Sequence, residues 1–250
     1  HHHRNPGAAG LSDGDGRPLM PTPPPPTPDR AKLHWRGHSL DLLGARAIWA
    51  AEQRTLLVAD LHLGKAETFQ RAGIPLPSDG DLETLNALIA LAQRWQPEHL
   101  IVLGDLIHSH QGLTAELQQK LVALPELLGC PLRLIGGNHD RGTPIASLVQ
   151  EPSQALGPWW LSHEPEPRDG QLNLCGHLHP VALVGRGNDR LRLPCFSLDE
   201  RSQRLALPAF GRLTGGHPNA QGERLWLVAD GAVVAWNQPR HNPTQPLTAA

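Results

Sequence analysis

Apolar and polar positions divide the chain into two halves with different periods. In the first half, apolar runs over residues 33–42, 47–50, 55–59, 100–103 and 132–135 are predicted as strands. Between them, residues 78–95 place Leu82, Leu85, Leu88, Ile89 and Ala92 at helical spacing, which predicts a helix capped by Ser78 or Asp79. Shorter helices are predicted over 65–72 and 113–124. Strands alternating with helices imply parallel βαβ units, which bind ligands at the carboxyl ends of their strands. From Trp159 the helical period fades. Strands are predicted over 159–162, 172–175, 181–184, 191–196, 225–229 and 232–235, the last two joined by Asp230-Gly231, a hairpin signal. A helix-bearing half followed by a strand-rich half implies an α/β fold in which two sheets pack face to face with helices outside. The chain shows no internal repeat.

Polar clusters stand at the ends of the apolar runs: Asp60-Leu61-His62, Gly104-Asp105-Leu106-Ile107-His108, Gly137-Asn138-His139-Asp140, Ser162-His163 and Gly176-His177-Leu178-His179. Two residues separated by one, at a strand end, project to the same side because side chains alternate with period two. The donors are carboxylate oxygens, imidazole nitrogens and an amide oxygen, with no thiolate among them. Such a set suits Mn, Fe or Zn, and it is large enough for two ions.

In this order the clusters resemble the calcineurin-like metallophosphoesterase superfamily, over residues 60–179. Leu193-Pro194-Cys195-Phe196, and Leu207-Pro208-Ala209-Phe210-Gly211 through Thr214-Gly215-Gly216, are similar to the bacterial ligase-associated metallophosphoesterases, a family of DNA-damage-response endonucleases. The resemblance implies a four-layer αββα sandwich of two mixed sheets. It implies that Asp60, His62 and His179 hold one divalent metal and that Asn138, His163 and His177 hold the other, with Asp105 bridging. Paired metals lower the pKa of a shared water and clamp the oxygens of an in-line displacement at phosphorus. By the same resemblance, His139 stabilises the transition state or protonates the leaving oxygen, Asp140 orients it, and His108 supports the substrate. Arg141, beside them, is a candidate phosphate contact. The family also implies Mn as the metal (Fe or Zn as substitutes), DNA as substrate, and an ATP-dependent DNA ligase and a DEAD/DEAH-box-type helicase as partners. Hydrolysis of small phosphodiesters or monoesters, and a non-catalytic repair scaffold, are the competing readings.

Composition narrows this little. A net charge of −2 does not mark a nucleic-acid binder, although two bound cations would add about four positive charges where a phosphate must sit. Arg186, Arg190, Arg192, Arg201 and Arg204 form a loose basic cluster, read as a solvated face rather than a track for DNA. His217, like His34, His38, His99, His110 and His241, has no motif context. Three widely separated Cys give neither a disulfide framework nor a Cys-x-x-Cys site, which fits a reducing cytoplasm. No apolar run approaches the ~18 residues of a membrane span. Residues 1–30 are rich in Pro and Gly and are predicted as a disordered tail whose three leading His resemble part of a tag. The metallophosphoesterase domain is predicted over 31–240, with a C-terminal tail over 241–250.

Overall fold

Three strands account for the unbroken apolar runs of the first half, because both of their faces are covered. The computed structural model of the protein describes residues 29–75, 80–136, 145, 148–211, 215–218 and 223–236. In it, β1 (Arg30–Trp35), β2 (His38–Leu43) and β3 (Ala47–Ala50) form an antiparallel meander that leads into β4 (Thr55–Val58). β4, β5 (His99–Leu103) and β6 (Leu132–Ile135) then run parallel, and β7 (Gln150–Glu151) pairs with β6 at the far edge. Leu56, Val58, Leu100, Val102, Leu132 and Leu134 face one way, towards the helices, while Leu57, Ile101, Leu103 and Ile135 face the other. That is the pattern of a parallel sheet buried on both sides.

The helical face is closed by α2 (Gly80–Trp95) and α3 (Ala115–Leu128), whose Leu85, Leu88, Leu91, Leu117, Leu121, Leu124 and Leu128 enter the core. Each leucine so buried contributes about 1.5–3 kcal/mol. The Thr114 side chain accepts a hydrogen bond from the Leu117 N–H and caps α3, and Gly129 ends it in the left-handed region at φ 73°. The helix runs four residues past the predicted end at 124, through Pro125. Proline removes one backbone hydrogen bond, but burial of Leu124 and Leu128 on the sheet holds the last turn. A short α1 (Lys65–Arg71) lies beyond β4.

The second half builds a second mixed sheet. Its strands are β8 (Gln154–Leu156), β9 (Trp159–Ser162), β10 (Leu172–Cys175), β11 (Pro180–Val184), β12 (Leu191–Asp199), β13 (Arg204–Ala206), β14 (His217–Pro218), β15 (Arg224–Ala229) and β16 (Ala232–Trp236). The order is β14-β11-β12-β13-β10-β9-β8, with β15 paired to β12 and β16 to β15. Trp159, Leu161, Leu172, Leu174, Phe196, Leu205 and Trp226 of this sheet meet Leu57, Ile101, Leu103 and Ile135 of the first. The result is an α/β sandwich of two mixed sheets, as the chain's two periods and the resemblance imply, and its described α-helices lie in the first half.

Smaller features depart from the predicted elements. The run 33–42 is two strands, because Arg36 and Gly37 both take positive φ (45° and 80°) and reverse the chain in a two-residue turn. β7, β8, β13 and β14 are two or three residues long, too short to show a period. Asp230 and Gly231 form the expected hairpin, again at positive φ. No helix among the described residues is long and apolar enough to cross a membrane.

Candidate metal centre

β4, β5 and β10 each end where a candidate ligand begins, so the carboxyl ends of three strands open on one place. β4 delivers Asp60 and His62, β5 delivers Gly104 and Asp105, and β10 delivers His177 and His179, while His163 follows β9. The loops after β4 and β5 are tied together: Asp60 N–H bonds Gly104 O, His62 N–H bonds Asp105 O, and Leu63 N–H bonds Leu106 O. Phe210 and Gly211 N–H bond the carbonyls of Ala59 and Asp60 from the other side.

The alternation of a strand is not what aligns each Asp-x-His or His-x-His pair. The strands have ended, and Asp60, His62, Asp105, His177 and His179 all occupy the left-handed region, with φ of 55°, 47°, 50°, 71° and 45°. Such backbone costs an L-residue about 1–3 kcal/mol and concentrates at functional sites. Two glycines make room. A Cβ on Gly104, itself at φ 79°, would stand 2.1 Å from His163 Nδ1, and one on Gly176 would stand 2.7 Å from Asp60 Oδ2. Here lies the physical reason for the Gly of Gly-Asp-x-x-His and of Gly-His-x-His.

Two triplets of donors result. The donor atoms of Asp60, His62 and His179 lie within 4.8 Å of one another, and so do those of Asp105, His163 and His177. Asp105 Oδ2 stands between them, 3.6 Å from His62 Nε2 and 3.3 Å from His163 Nε2. His163 Nδ1 lies 2.8 Å from Leu103 O, so that it donates there and turns the Nε2 lone pair into the site. His177 N–H donates to Asp60 Oδ2 at 2.8 Å, which leaves Oδ1 for His179 Nε2 at 3.4 Å. Among the described residues Asp60 Oδ1 and His179 Nε2 have no hydrogen-bond partner, although both are buried. Buried polar atoms are otherwise satisfied, and a divalent cation accepting both donors would resolve the pair. The oxygen and nitrogen donor set fits that reading.

The charges agree with it. Burial would raise the Asp60 carboxyl, but His179 and His62 hold it down at about 2. Burial would lower His163, but the Asp105 carboxylate lifts it to about 9.

Of the residues singled out in the sequence, Asp60, His62, Asp105, His163, His177 and His179 are brought together. Asn138, His139, Asp140 and Arg141 lie outside the described residues. His108 is half-buried at the edge, its Nδ1 3.3 Å from His62 Nδ1 and its ring stacked on Phe69 at 5.7 Å. His217, which has no motif context, stands at the site: its ring stacks on His179 at 6.1 Å and 21°, and its N–H bonds His179 O. No local pattern marks it, because a two-residue strand puts it there.

Residues 53–231 match the family model of the calcineurin-like phosphoesterases. The chain belongs to that family and is a metal-dependent phosphoric ester hydrolase of the dinuclear type. Among solved structures it is similar to the nuclease MPE of Pseudomonas putida, at 36% identity and a TM-score of 0.68, covering 83% of this chain and 100% of that one. The YfcE phosphoesterase of E. coli is more distant, at 14% identity and a TM-score of 0.39, covering 70% of this chain and 88% of that one. No curated protein matches.

Proposed function

We propose that the protein is a Mn-dependent phosphodiesterase that cleaves DNA as a nuclease in repair, in the cytoplasm, alongside an ATP-dependent DNA ligase and a DEAD/DEAH-box-type helicase. The observation that carries the reading is the pair of donor triplets joined at Asp105, in a chain 36% identical to a nuclease over the whole of that nuclease. Asp60, His62 and His179 would hold one cation; Asp105, His163 and His177, with Asn138, would hold the other. Bound together, the cations supply an activated water and charge for the developing oxygens at phosphorus. The chain's own part is to fix the donors: Leu103 O sets the His163 tautomer, and His177 N–H aims the Asp60 carboxylate. His108 sets the other face of His62. His139 is assigned to protonate the leaving oxygen, with Asp140 orienting it and Arg141 on a non-bridging oxygen. The three free, buried cysteines fit a reducing compartment.

The test is a matrix of metals against substrates. Mn, Fe, Zn and Mg are each offered with single-stranded DNA, duplex DNA, a chromogenic bis-ester and a monoester, with Asp105→Asn as the blank. DNA cleavage strongest with Mn is expected. Turnover confined to the small esters would remove DNA from the reading, and no turnover above the blank on any substrate would leave a scaffold.

A further inference from the structure

The basic cluster of the sequence is sorted by the fold into unlike parts. Arg204 is buried and pairs with Glu223 at 3.1 Å, while Arg201 is exposed in the turn after β12, its N–H on Asp199 Oδ1. Arg186, Arg190 and Arg192 instead share the β11–β12 hairpin and are exposed. Among the described residues neither Arg186 nor Arg190 is in an ion pair, and the stretch from Leu183 to Arg192 carries one acid, Asp189, against three arginines.

The hairpin starts one residue after His179. Phe196 and Leu198 of β12 face the sandwich core, whereas Leu193 and Cys195 belong to the cluster on the opposite face. Strand alternation therefore puts Pro194 and Arg192 on the Phe196 side, and Arg190 stands just before the strand begins. Register adds Val181 opposite Pro194 and Leu183 opposite Arg192. None of these residues belongs to the core between the sheets: Val181 is buried under Gly216, Pro194 is half-buried, and Leu183 and Arg192 are exposed. Leu183 is 39% exposed there. Arg192 donates to Gly216 O at 2.7 Å, reaching across β11 and holding the segment that lays His217 on His179.

We propose that this hairpin, with His217 at its root and the exposed Leu183, Arg186, Arg190 and Arg192 along it, is a subsite for the backbone of a polynucleotide strand beside the scissile phosphodiester. The inference rests on the nuclease reading and names where that substrate lies. From His179 to Leu183 the strand rises about 13 Å at ~3.3 Å per residue, the length of about four stacked nucleotides at ~3.4 Å each. Guanidinium groups suit phosphate by bidentate geometry, and the exposed Leu183 offers apolar contact to sugar or base. A small ester ends at the metals and does not reach the arginines.

The experiment compares the Mn-loaded enzyme with Arg186→Ala/Arg190→Ala and Arg186→Glu/Arg190→Glu. Arg192 is left in place because it holds Gly216. Each is assayed on a short single-stranded DNA and on bis(p-nitrophenyl) phosphate across a salt series. The ratio of kcat/KM on DNA to kcat/KM on the small ester is expected to fall about tenfold or more for the charge reversal, through KM. The slope of log KM against log salt should flatten by about 1.4 for the double alanine, at ~0.7 per cation lost. An unchanged ratio and slope in a parent that cuts DNA overturns this inference alone. Parallel loss on both substrates with a lowered Tm makes the hairpin structural and also overturns it. A parent that hydrolyses the small ester but no DNA removes the nuclease reading first, and this subsite with it.

Discussion

Gly104 and His163 occupy space that admits one side chain. With an ideal Cβ on Gly104, the methyl would sit 2.1 Å from His163 Nδ1 and 2.3 Å from its Cγ, at a backbone φ of 79° that L-residues rarely adopt. That same nitrogen is held by Leu103 O at 2.8 Å, so the imidazole cannot retreat without breaking the bond.

Gly104→Ala is therefore expected to cost about 1–2 kcal/mol for the left-handed backbone alone, and more for the clash. Because the displaced group is a candidate ligand, metal content should fall from two ions per chain towards one. Thermal melts and elemental analysis check both, and an alanine variant that keeps two ions and full activity would contradict the packing described.

Asp105 is the carboxylate that faces both triplets. Asp105→Asn keeps the size and removes the charge, and should lower kcat on a small ester by more than the roughly 10–100-fold typical of losing an outer partner of a metal site. Metal affinity should drop with it, since both sites lose a donor. Calorimetric titration with Mn alongside steady-state rates measures the two together; a fall in rate at unchanged stoichiometry and affinity would place Asp105 outside the coordination of either site.

Protonation of the metal-free site fixes how stability responds to pH. His163, lifted to about 9 by Asp105 against the effect of burial, has a folded pKa above its ordinary 6.5, so its contribution is full below about 6.5 and is lost as pH rises through 9. Asp60 is held at about 2, below its ordinary 3.8; its contribution is present above 3.8 and is lost as pH falls through 2. The metal-free protein should thus be most stable between roughly pH 4 and 6.5 as far as these groups decide. Metal reverses the trend on the alkaline side, because a ligating imidazole must be neutral. The gain in Tm on adding Mn should grow from pH 6 to pH 9, and binding at pH 7 should release protons, seen as a heat that depends on the buffer. Binding with no proton release would place His163 outside the coordination sphere.

Arg204 serves the outer face of the second sheet. It meets Glu223 and the carbonyl of Ser197, and Ser197 Oγ also hydrogen-bonds Glu223. Arg204→Ala leaves the half-buried Glu223 carboxylate without its cation, and should cost more than about 1 kcal/mol but less than the about 3–5 kcal/mol of fully buried pairs. Denaturant melts should show it. A loss below 1 kcal/mol would mean that water reaches Glu223.

Local patterns carried a good deal of this. Apolar runs at β4, β5 and β6 were legible because a strand covered on both faces is apolar at every position, and α2 because one helix face meets that sheet. The run 33–42 reads as one strand because Gly37 is paired with Arg36 rather than with the Asn or Asp of a common two-residue turn, and the two- and three-residue strands leave no period to detect.

The donors themselves are a property of the sequence alone: Asp60, His62, Asp105, His163, His177 and His179 follow strands in an order that already names the chemistry, because each motif is complete within a few residues. Tertiary structure decided which donors share a triplet, why Gly104 and Gly176 must be glycine, that His217 stacks on His179, and that Arg204 is internal while Arg190 and Arg192 are exposed on the β11–β12 hairpin. Those relations join residues tens to more than a hundred positions apart. They depend on how two sheets pack against each other, and no segment of the chain encodes that by itself.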